Sequence, residues 1–168
     1  MIVFDSSSLI LITKVEVLGA FLESIHFDVC IPGRVAEECC GVKKSLDSLR
    51  IQAAIDERKI RVVGIKDRKL VTKLRVDFGL GAGEAEAIVL AQSEAASVVG
   101  IDDKNGINAC KLVGRPFTTA IGILIRMREK RLLTAEDAMA KLTLLGKHGR
   151  YKQVILDDAR RRLESVND

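Results

Sequence analysis

The sequence predicts an α/β fold: a doubly wound, mostly parallel five-stranded sheet with helices on both faces, in a Rossmann-like three-layer arrangement. Three observations carry this. The candidate strands, such as IVF (2–4) and SVVGI (97–101), are continuous apolar runs rather than alternating ones, as expected of strands covered on both faces. Stretches with helical spacing separate them, and such alternation implies right-handed crossovers and parallel pairing. Finally, two of these runs end in carboxylates, at Asp5 and at Asp102-Asp103, and ligands of open α/β sheets bind beyond the carboxyl ends of the strands.

In order, IVF is followed by Ser6, Ser7 and Ser8, suitable caps for a helix through LILIT. A second helical stretch covers 16–24. FDVCI (27–31) is a strand, and Pro32-Gly33 turns it into the helix RVAEECC, closed by Gly41. The segment 45–57 reads as an amphipathic helix with Leu46, Leu49, Ala53 and Ile55 on its apolar side. IRVVGI (60–65) is the third strand. A helix over 67–78 has Leu70, Val71, Leu74 and Phe78 on one side and Lys66, Arg68, Lys69, Lys73 and Arg75 on the other. Glycines at 79, 81 and 83 break it, and the strong helix former EAEAIVLAQSEA (84–95) follows. The fourth strand is 97–101, then a helix at 105–113, a short strand at 115–118, and helices near 120–130, 134–145 and 154–166.

The 168 residues fit one domain, 1–168, with 132–168 as a helical extension for packing or dimerisation. Apolar residues make up 48% of the chain but aromatics only 4%, so the core must be aliphatic. The sequence has no run of about 18 uncharged apolar residues, so no membrane span is expected. The start, MIVFD, lacks the basic and small-residue features of a signal peptide, and a cytoplasmic location is expected. Cys30, Cys39, Cys40 and Cys110 form no C-x-x-C pair; they read as small core residues rather than zinc ligands. GLGAGEA imitates a dinucleotide fingerprint, but a helix rather than a strand precedes it, which argues against that use. A phosphoacceptor receiver domain is disfavoured because the third strand ends without an aspartate.

The carboxylates are the informative residues. If the strands ending at Asp5 and Asp102 are neighbours at the switch point, their acids meet, and Glu37 and Glu84 lie on helices that can face the same mouth. Two carboxylates about 4 Å apart repel by roughly 4 kcal/mol at an effective dielectric of 20. A cluster therefore calls for a cation or raised pKa values. Oxygen-only ligands suit Mg2+ or Mn2+, ions that activate water for phosphoryl displacement.

Four motifs resemble those of the PIN-domain family, in order and spacing. IVFDSSSLI resembles its strand-Asp-[Ser/Thr] opening, IPGRVAEE its proline and acid-bearing helix, GEAEAIVLA its third motif and SVVGIDD its fourth strand. GRPFTTAIGIL further resembles the VapC-like toxin ribonucleases. The resemblance covers about 1–131. It implies Asp5, Glu37, Glu84 and Asp102 as catalytic acids, with Asp5, Glu84 and Asp102 as metal ligands and Ser7, Asp103 and Thr118 in support. Glu38, Glu86 and Asp103 stand as alternatives within each pair. Glu84 occupies a place where Asp is commonest, and Gly100 a place where Thr is frequent. The family's members are typically Mg2+- or Mn2+-dependent nucleases that cut single-stranded RNA; many are toxins held by an antitoxin, and many are homodimers. RNA contacts would come from bases beside the acidic mouth: Lys14, Arg34, Lys43 and Lys44, the basic side of 66–75, and Arg126, Arg128, Lys130 and Arg131. The alternative is a PIN-like RNA-binding or regulatory module with weak catalysis or none.

Overall fold

The computed structural model describes residues 1–41, 45–93 and 98–166. Five parallel strands, β1 (Ile2–Phe4), β2 (Val29–Pro32), β3 (Arg61–Val63), β4 (Val98–Gly100) and β5 (Phe117–Thr118), form one sheet in the order β3-β2-β1-β4-β5. The chain winds outward from β1 to β3, then returns to the opposite side of β1 for β4 and β5. The switch point thus lies between β1 and β4, which pair Ile2 with Val98, Val3 with Val99 and Phe4 with Gly100.

Ten helices among the described residues cover the sheet: α1 (Ser6–Lys14), α2 (Leu18–Ser24), α3 (Gly33–Cys40), α4 (Leu46–Asp56), α5 (Arg68–Phe78), α6 (Ala82–Ser93), α7 (Lys104–Leu112), α8 (Ala120–Glu129), α9 (Ala135–His148) and α10 (Gln153–Glu164). The period-two alternation of strand side chains divides the core. Ile2, Phe4, Val29 and Ile31 face one layer with Leu9, Ile12, Val35, Ile51 and Leu124. Val3, Cys30 and Val99 face the other, built from α5, α6 and α7 with Val71, Leu74, Ile88 and Ala109.

The extension from 132 onward joins the first of these layers. Ala138, Leu142 and Leu145 of α9 and Ala159 and Leu163 of α10 are buried in the same cluster as Phe4. Lys141 Nζ donates to the Val15 carbonyl at the end of α1 (3.0 Å). The buried Arg128 reaches the Val166 carbonyl at 2.7 Å, so this arginine ties down the C-terminal segment instead of facing solvent for RNA.

Two local expectations change. The cap of α1 is Asp5 itself, whose Oδ1 accepts from Ser8 N at 2.8 Å, not one of the serines. On α4 the buried side is Ser48, Ile51 and Ala54, while Leu46 and Leu49 are 63% and 56% exposed. Ser45 caps this helix and accepts from Ser48 N, and the Ser48 hydroxyl donates to the Ser45 carbonyl at 2.8 Å. With its hydroxyl thus satisfied, Ser48 can be buried at little cost. Small residues flanking Ile51 then let α4 settle against α1 and α3. Gly79 ends α5 with φ +65, the left-handed conformation glycine adopts without penalty. All four cysteines are free, with Cys30, Cys39 and Cys110 buried. No helix among the described residues is long and apolar enough to cross a membrane.

Candidate active site

Because β1 and β4 are neighbours, the residues that follow them emerge side by side, and Asp5 N donates to the Gly100 carbonyl at 3.0 Å. Asp5 is fully buried. Ser7 Oγ donates to its Oδ2 at 2.7 Å and Ser8 N to its Oδ1. Burial nonetheless outweighs these donors and, with a contribution from the Asp102 charge, lifts the Asp5 carboxyl to about 7. Asp102 follows β4. Both its oxygens take the Ala120 N–H that opens α8, at 3.2 and 3.0 Å, and its Oδ1 accepts from the Tyr151 hydroxyl. Burial again pushes its pKa upward against these donors. The Ser8 hydroxyl is near enough to favour the charged form of both aspartates, yet it is buried without a well-directed hydrogen bond among the described residues.

Two more acids join from the helices. Glu84, in the first turn of α6, folds back so that Oε2 accepts from Gly81 N at 2.8 Å. Burial first, then the charges of Asp103 and Glu38, raises its pKa. Asp103 caps α7, accepting from Asn105 N at 2.7 Å. From α3 the residue at the mouth is Glu38: Ser6 Oγ donates to its Oε2 at 2.7 Å, and a Cβ on Gly83 would lie 2.5 Å from that oxygen. Glu37, the acid favoured by the motif, is turned outward with a 70% exposed side chain and pairs with Arg34 at 3.2 Å. Arg34 also holds Glu38. Glu86 is buried on the opposite side of α6, where it pairs with Arg68 of α5.

The structure thus brings Asp5, Asp102, Asp103, Glu84 and Glu38 to one mouth, with Ser7 and Arg34 at its edge. It leaves Glu37 outside. Thr118 lies on β5, where its carbonyl accepts Ile101 N at 2.9 Å and its side chain lines an apolar cleft of about 330 Å³ with Ile2, Ile123 and Arg126. Lys14 is exposed in the last turn of α1, at the far end from Asp5. Lys43 and Lys44 lie outside the described residues. Ser8, the Ala120 N–H and Tyr151 were not singled out from the sequence. A buried position three residues after a capping acid could have marked Ser8; nothing local marks Tyr151, 49 residues from Asp102.

The side chains at the mouth that could ligate a metal offer oxygen atoms. Burial and nearby acids push the Cys39 thiol up to about 12, and burial with Asp5 pushes Cys110 up to about 11, so neither offers a thiolate. Among the described residues no three acidic, imidazole or thiol groups close around a single point, and each acid at the mouth accepts from a protein donor. The donor set and the under-bonded Ser8 hydroxyl nevertheless suit a hard divalent cation. Burial raises the pKa values of Asp5 and Asp102, and such an ion would supply the counter-charge that favours their charged forms.

A family model described as DUF3368: PIN domain matches residues 1–165. No curated protein and no solved structure matches the chain at a significant level. Sheet order, switch-point acids and this near-complete match agree, and the chain belongs to the PIN-domain family.

Proposed function

We propose that this protein is a metal-dependent endoribonuclease that hydrolyses phosphodiester bonds of single-stranded RNA. PIN domains are generally nucleases that use divalent metal ions. The observation that carries the reading is the fully buried Asp5 facing Asp102, its carboxyl lifted to about 7. Asp5, Glu84 and Asp102 would hold Mg2+ or Mn2+, with Glu38 rather than Glu37 completing the mouth. The chemistry supplied at these residues when an ion is bound would be water activation and shielding of the phosphate charge. The chain does the positioning: Ser7 and Ser8 N hold Asp5, Ala120 N holds Asp102, and Gly81 N holds Glu84. Incubation with single-stranded RNA and either ion, with Asp5→Asn as control, tests the assignment; equal cleavage by both proteins would sink it.

The two α3 acids are separable. Glu38→Gln is expected to lower kcat/KM by about tenfold or more, the scale for disturbing a group near a metal. Glu37→Gln, losing only an exposed pair worth about 0–1 kcal/mol, is expected to change it less than twofold. Reversal of that ranking in steady-state kinetics would return the role to Glu37.

The acidic mouth needs bases nearby to draw RNA in. Arg34 is committed to Glu37 and Glu38. The exposed Arg150 and Lys152 flank Tyr151, which touches Asp102, and they make no ion pair among the described residues. They are the better backbone contacts. Replacing both with alanine is expected to raise KM several-fold with kcat kept and to flatten the salt dependence; an unchanged KM would exclude them.

The resemblance of GRPFTTAIGIL to toxin ribonucleases supports a role as the toxin of a toxin–antitoxin pair and a homodimeric state. Growth arrest on induced expression, and molar mass in solution, test these two points. One observation favours a second reading, an RNA-binding module without turnover: each acid at the mouth already has a protein donor, so an ion must displace some of them. RNA binding that needs no metal and yields no cleavage would establish it.

A further inference from the structure

We infer that Tyr151 is a positioning residue for the metal site: the tip of the C-terminal helical hairpin reaches into the carboxylate mouth and fixes Asp102 for the ion. This rests on the metal-dependent reading above.

Tyr151 is the only tyrosine in the chain. It sits in the connection between α9, which ends at His148, and α10, which begins at Gln153. Its hydroxyl donates to Asp102 Oδ1, the same carboxylate that accepts the Ala120 N–H through both oxygens. A carboxylate held by a backbone donor and a phenol from a different element has little freedom to rotate. The fourth strand offers no hydroxyl of its own for this task, since Gly100 ends it. Such outer partners orient ligating carboxylates and commonly govern metal affinity.

The ring's place is built in. A Cβ on Gly149 would lie 2.3 Å from the Tyr151 Cε2, so the glycine that caps α9 also makes room for the ring. The hairpin behind it is anchored by Leu145, Ala159 and Leu163 in the core and by Arg128 on the Val166 carbonyl. The tip is therefore carried by a rigid support, and packing alone does not explain why a hydroxyl is aimed at Asp102.

Tyr151→Phe keeps the ring and removes only the hydroxyl. The test is Mn2+ binding to the full chain without RNA, read by the paramagnetic resonance of the free ion, beside steady-state cleavage at several Mn2+ concentrations. Binding is expected to weaken about 10–100-fold, with unaltered KM for RNA and a kcat that recovers as Mn2+ saturates. A purely structural tyrosine would leave the Mn2+ affinity unchanged at equal melting temperature, and that result overturns the proposal. Tighter Mn2+ binding overturns it too, by showing that the hydroxyl occupies an oxygen the ion needs. If the wild-type chain itself binds no Mn2+, the metal-dependent reading fails and the proposal with it. Wild-type binding with an unaffected variant fails the proposal alone.

Discussion

Replacing Asp5 with asparagine is expected to remove RNA cleavage, by roughly 10³-fold or more, while leaving the protein at least as stable at neutral pH. The two effects have one cause. Asp5 is fully buried, and its carboxyl is raised from 3.8 to about 7 by burial. A carboxyl with a raised folded-state pKa binds its proton more tightly in the folded chain than in the unfolded one. Its contribution to stability is therefore intact below about 3.8 and is lost as pH rises through about 7. The limiting loss is on the order of 4 kcal/mol for a shift of this size. Asparagine has no charge to bury, is an equally good helix cap, and can still accept Ser8 N through its amide oxygen.

Thermal melts from pH 5 to 8.5 separate the contributions. The variant's gain over wild type should be smallest at the acid end, grow up to about pH 7 and level off above it. At roughly 2–4 °C per kcal/mol for a chain of this size, the limiting gain is roughly 8–16 °C. Mn2+ should raise the wild-type melting temperature most at the alkaline end, where Asp5 is charged, and should barely affect Asp5→Asn. A variant that melts several degrees lower across the whole range would show that Asp5 is a structural cap whose charge is already well served. A variant that cleaves normally would remove it from the chemistry.

The same residue shows what was legible in the chain and what was not. Apolar strands and capped helices are local signals, so the sheet, the helices and their order could be anticipated. Asp5 and Asp102 were visible because a carboxylate at the end of a buried strand has few other uses, and the β1–β4 register made them neighbours. The helical acids were harder. Neighbouring helix positions differ by about 100°, so choosing between Glu37 and Glu38 requires the phase of α3, which Val35 and Cys39 set by being buried. Helix α6 is buried almost all round from Ala85 to Ala91. Its pattern has no phase, and only the ion pair with Arg68 shows that Glu86 faces away. Leu46 and Leu49 misled because a serine, not a leucine, is buried on α4. Tyr151 was invisible for a different reason: its meaning lies wholly in a tertiary contact with Asp102.

Placing a threonine at Gly100, the residue that the resemblance to the fourth PIN motif would favour there, is expected to destabilise the fold rather than improve the site. Gly100 pairs with Phe4 across the parallel ladder. A Cβ there would lie 2.3 Å from Phe4 Cδ1 and 2.5 Å from Cε1. The Phe4 ring is fully buried and meets Phe21 edge-on, with centroids 5.9 Å apart and planes at 83°, so it has nowhere to retreat. Overpacking of this kind costs about 1–3 kcal/mol and occasionally more. Because both side chains are held by strands, about 3 kcal/mol or above is expected for Gly100→Thr, a fall of roughly 6–12 °C. Activity should fall as well, since the Gly100 carbonyl accepts the Asp5 N–H and any shift of β4 carries Asp5 and Asp102 apart. Gly100→Thr combined with Phe4→Leu should recover part of the stability by freeing the ring's volume. An unchanged melting temperature in Gly100→Thr would defeat the packing argument. A double variant that is stable and cleaves faster than wild type would instead mark the glycine as a lost catalytic support. Stability regained without a gain in rate would mean that the hydroxyl's task has passed elsewhere, and the phenol already bonded to Asp102 is the group placed to perform it.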